Sequence, residues 1–88
     1  MLFSEATISR SLEKFVEQAL LQANIDYNEA IIKDYDLDRC YLIIDGKKYD
    51  IRMWNIDETG VRYSVFEILE NSGNELYHGF VSQDMYVV

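Results

Sequence analysis

The chain has 88 residues, 49% of them hydrophobic and 14% aromatic, with one cysteine and a net charge of −8. That is one folded domain, too short to combine a full core with a deep enzyme cleft easily, and too apolar to be disordered. A lone cysteine excludes an internal disulfide framework and a four-cysteine zinc site, and the charge disfavours direct nucleic-acid binding, which rests largely on Lys and Arg displacing counterions, so none is expected.

In chain order, the first element is an amphipathic helix. Ile8, Leu12, Phe15, Val16, Ala19, Leu20 and Ala23 recur at steps of three and four, while Arg10, Lys14, Glu17 and Gln18 take the other side. The predicted span is about 4–24, with Ser4 as N-cap, Glu5 complementing the positive helix end and Asn24 closing in a left-handed conformation. Leu21 lies opposite the apolar stripe.

Residues 26–38 support two readings. Asp26-Tyr27-Asn28-Glu29 has the form of a capping box, whereas Ile31, Lys33, Tyr35 and Leu37 alternate as in a strand. The β-branched pair Ile31-Ile32 and the hairpin that follows favour the strand.

That hairpin is the strongest local signal. Asp45-Gly46 suits a type I′ turn and would pair Ile44 with Lys47, Leu42 with Tyr49 and Cys40 with Ile51. Cys40, Leu42, Ile44, Tyr49, Ile51 and Met53 then face the core, and Tyr41, Ile43, Lys48, Asp50, Arg52 and Trp54 face outward. A bulged turn would shift this register. Turns at 57–60 and 71–74 bound strands over 61–69 and 75–82, and residues 85–88 read as a short edge segment. The expected fold is α+β: a single domain, 1–88, with the N-terminal amphipathic helix packed on a 4–5-stranded antiparallel meander sheet over about 29–88.

No motif carries catalytic chemistry. Cys40 alternates with core residues, and His78, the one histidine, has no local partner, so a Cys–His nucleophile is not expected. Asp34, Asp36 and Asp38 begin like a calcium loop, but Arg39 stands where glycine is needed and Asp45 where glutamate is preferred. The expectation is no enzyme activity, no metal and no cofactor. The N-terminus lacks a secretory pattern and no apolar run could span a bilayer, so the expected compartment is the cytoplasm, with no membrane partner.

Charge points to a protein partner with a basic surface. Residues 25–45 and 67–88 each carry −4, while 46–66 carry +1. The candidate partner-binding residues are Asp34, Asp36, Asp38, Glu70 and Glu75, with Tyr41, Arg52 and Trp54 as aromatic and arginine anchors of the kind enriched at interfaces. One carboxylate stripe, about 6.6 Å per step, is too sparse to imitate duplex DNA, at about 1.7 Å per charge. Mimicry therefore needs both acidic blocks on one surface. In size and charge alone the chain resembles small phage or mobile-element inhibitors of host defence nucleases, including anti-CRISPR proteins. That resemblance implies an inhibitor or decoy masking a nucleic-acid-handling protein. Two alternatives are a structural homo-oligomeric module, such as a homodimer using its aromatic sheet face, and an immunity protein that neutralises a toxin.

Overall fold

The computed structural model describes residues 2–4 and 7–87. The elements run β1 (Phe3–Ser4), α1 (Arg10–Gln22), β2 (Ala30–Asp36), β3 (Arg39–Ile44), β4 (Lys47–Asp57), β5 (Gly60–Ile68) and β6 (Gly73–Ser82), closing with a 3-10 turn at Gln83–Met85. Spatial order equals chain order: β2 to β6 form an antiparallel meander, and β1 adds a short parallel edge on β2. The fold is α+β, one helix preceding the sheet.

The helix is shorter than its periodicity suggests. Ser9, not Ser4, is the N-cap, its Oγ accepting from Leu12 N at 3.1 Å. Ser4 instead pairs with Ile32 in β1, where strand pairing takes the backbone groups that a longer helix would use. Glu5 lies outside the described residues. At the other end Asn24 has φ 59°, the left-handed closure expected of it.

The β3–β4 hairpin has the expected register, with Asp45 and Gly46 at φ 51° and 77°. Between β4 and β5, the Asp57 carboxylate accepts from Thr59 N, Thr59 Oγ1 and Gly60 N, contacts that hold it below the usual aspartate range. Gly60 has φ 151°, and an added Cβ would meet the Val81 carbonyl oxygen at 2.2 Å, so glycine is required there. Residues 85–87 do not form the expected edge segment: Tyr86 N and Val87 N donate to Gln83 O, closing a 3-10 turn at Gln83–Met85 that sets Tyr86 against Phe15, and Val88 lies outside the described residues.

The core lies between α1 and the inner sheet face. Phe15, Val16, Ala19 and Leu20 pack on Ile32, Cys40, Leu42, Ile51, Tyr63, Val65 and Val81, all buried. Leu12 packs at the margin, and Phe80 is half-buried on the outer face beneath Arg62. The Tyr63 hydroxyl sits 2.6 Å from Gln22 Oε1, while Gln22 Nε2 donates to Phe80 O at 3.0 Å. These two bonds tie the end of the helix to β5 and β6.

Candidate binding surfaces

Paired residues of an antiparallel sheet project from the same face, so the register assigns the outer surface rung by rung. One rung reads Asp34, Tyr41, Asp50, Phe66, Glu75 from β2 to β6. The next reads Asp36, Arg39, Arg52, Ser64, His78, and on the other side lies Ile31, Ile43, Lys48, Ile68, Gly73. A fourth begins at Asn55 and continues through Arg62 and Phe80.

Asp50 is the unexpected member of this face. Alternation turns it outward, yet it is fully buried. Its neighbours across β3 and β5 are Tyr41 and Phe66, and arginines roof it. Arg39 donates to Asp50 Oδ2 through Nε at 3.1 Å and a terminal nitrogen at 2.5 Å, and Arg52 approaches to 3.8 Å while stacking on Phe66 at 4.6 Å. The hydrogen bond to Asp50 raises the Arg39 pKa above its ordinary value. Asp50 Oδ1 has no hydrogen-bond partner among the described residues.

The eight sequence-predicted residues do not form one cluster. Asp34, Asp36, Tyr41, Arg52 and Glu75 share the outer face, but Asp34 and Glu75 sit on opposite sides of the meander, four strand spacings or about 19 Å apart. Asp38 lies in the β2–β3 turn at one end of the sheet, and Glu70 in the β5–β6 turn at the other. Trp54, 60% exposed, is the extra residue of a bulge between Met53 and Asn55. Asp34 and Asp36 each accept a hydrogen bond from the next residue's backbone N–H.

Both acidic blocks also contribute carboxylates to one end of the sheet. The α1–β2 loop, the β3–β4 turn and the β5–β6 turn all close the same end of the sheet. There Asp26, Glu29 and Asp45 line one shallow recess, and Glu67 and Glu70 line its neighbour together with Lys47 and Lys48. Of these five acids only Glu70 was singled out from the sequence. The available signal was topological, since alternate connections of a meander fall at the same end.

Cys40 and His78 cannot cooperate. Cys40 is buried on the inner face of β3, and His78 is exposed on the outer face of β6. Burial, reinforced by the charges of Asp50 and Asp34, pushes the thiol from 9.0 up to about 12. Thiolate formation is therefore suppressed in the folded chain, and Cys40 is expected to resist Ellman's reagent at pH 8 until denaturant is added. Rapid native-state labelling would contradict this placement. The sign of the linkage follows: a raised thiol pKa supports stability below about 9, and that support is lost as pH rises from there towards about 12.

Among the described residues no helix is long and apolar enough to cross a membrane, and no three His, Cys, Asp or Glu side chains are grouped to hold a metal ion. Comparison with protein-family models, curated proteins and solved structures found no match.

Proposed function

We propose that this chain is a non-enzymatic binding protein that masks a basic surface of a protein partner, acting as an inhibitor or decoy. The observation that carries the reading is the gathering of Asp26, Glu29, Asp45, Glu67 and Glu70 at one end of the sheet, drawn from both acidic blocks. Three connections and the end of β5 present these carboxylates from the sheet with little ordering cost on binding. Five acids against two lysines leave a local field that attracts a cationic groove over roughly a Debye length, about 8 Å at physiological salt. Grooves of that kind belong to proteins that handle nucleic acid, and host defence nucleases are the partner class suggested by the chain's size and charge.

The test compares the native chain with a variant carrying Asp26→Asn, Glu29→Gln, Asp45→Asn and Glu70→Gln. Asparagine tolerates the positive φ at position 45, so the turn should survive. Each chain is immobilised and exposed to extract from cells of the native host. The native chain should capture a basic partner that added duplex DNA or high salt releases, and the variant should lose it. A partner retained by the variant with unchanged salt dependence would overturn the reading.

A further inference from the structure

Only one face of the sheet is covered by α1; among the described residues no element packs on the other. We propose that this outer face binds a second copy of the chain, with the two sheets crossed near a right angle. The interface goes beyond the masking role, and it draws on Lys48 and Ile68, which also line the recess of Glu67 and Glu70 at the acidic end.

Charge selects the occupant. Two copies of a −8 chain repel over an average patch of surface. The outer face is different: its paired positions hold five acids, Asp34, Asp36, Asp50, Asp57 and Glu75, and four bases, Arg39, Lys48, Arg52 and Arg62, which leaves it close to neutral. A basic partner gains little net attraction there, and a second copy meets little net repulsion. Half-buried Ile43, Ile68, Tyr41 and Phe66 supply apolar surface for the contact.

The placement of the charges then fixes the crossing angle. The solvated acids stand on the outermost meander strands, Asp34 and Asp36 on β2 and Glu75 on β6. Arg39, Lys48 and Arg52 stand on β3 and β4 between them. Packed sheets are either nearly aligned or nearly orthogonal. A two-fold axis parallel to the strands lays β2 over β6, and one perpendicular to them lays β2 over β2; both oppose carboxylate to carboxylate. An axis at about 45° through Asp50 instead turns the rung from Asp34 to Glu75 onto β4 of the other copy. Asp34 and Glu75 stand about 9.6 Å either side of Asp50 across the strands, and Arg52 and Lys48 about 6.6 Å either side of it along β4. In one of the two diagonal settings Asp34 faces Arg52 and Glu75 faces Lys48, each contact made twice by the two-fold symmetry, while Arg39 falls beside its own symmetry mate with Asp36 of both copies next to the pair. Asp50, at the crossing point, is shielded beneath Arg39 and Arg52.

Sedimentation velocity on the full chain, from micromolar to millimolar concentration, tests this. The expected result is reversible association to twice the 10.4 kDa chain mass. Lys48→Glu and Glu75→Lys change exposed side chains outside the core, and circular dichroism would verify that both variants fold. Each variant alone should self-associate more weakly by roughly tenfold or more, because every Glu75–Lys48 contact becomes a like-charge pair. Mixing the two should restore association as a heterodimer, in which both contacts are again of opposite sign. A chain that stays monomeric throughout, a dimer indifferent to either reversal, or a mixture that fails to recover would each overturn the proposal.

Discussion

Replacing Leu20 by alanine is expected to cost about 2–5 kcal/mol, a large part of the 5–15 kcal/mol or so that holds a domain of this kind folded. Leu20 is fully buried on α1 against the inner sheet face, so truncation loses its burial and leaves a cavity that a stiff sheet cannot close. For a chain of this size the melting temperature should fall by roughly 10–30 °C. Leu21, its immediate neighbour, is 60% exposed and provides the control. Leu21→Ala should shift stability by no more than about 0.5 kcal/mol. Urea unfolding of both variants measures the contrast, and equal shifts would refute the packing of α1 on the sheet.

The second large effect concerns the roofed carboxylate. Arg39→Met is expected to destabilise the chain by about 1–3 kcal/mol, because it strips a buried charge of its hydrogen-bonded partner. The figure stays below that for a wholly buried pair, since the Arg39 side chain is itself 54% exposed and Arg52 remains at 3.8 Å. Adding Asp50→Leu should recover most of the loss, with an apolar side chain filling the space between Tyr41 and Phe66 in place of an uncompensated charge. The cycle of two single variants and the double variant isolates the coupling. A double variant no more stable than Arg39→Met alone would contradict the assigned pairing.

Legibility in the sequence followed the range of the forces involved. The β3–β4 hairpin was readable because Asp45-Gly46 fixes its register locally, through two positive φ angles. The start of α1 was misplaced because Ser4 and Ser9 are both chemically able to cap, and the choice depends on β2, more than twenty residues downstream of Ser4. Burial of Asp50 was hidden for the same reason: alternation assigns it a face, but its cover comes from Arg39 and Tyr41 on one strand and Phe66 on another. The candidate acids were chosen as runs along the chain, whereas surfaces are built across it. Asp34 and Glu75 share a rung without touching, and Asp38 and Glu70 occupy opposite ends of the sheet. Asp26, Glu29 and Asp45 lie at the same end of the sheet as Glu67 and Glu70 because alternate connections of the meander close that end.

The identity of spatial and chain order also governs how this molecule assembles. Every hairpin of the meander can zip onto the one before it across a short loop, so each closure costs little entropy. The late steps are those that join distant segments: β1 reaching β2 past the whole helix, and Gln22 reaching across 58 positions to Phe80. Folding should therefore be rapid for a sheet protein, with the hairpins formed first and the docking of the helix end onto β5 and β6 converting a loose meander into a closed core.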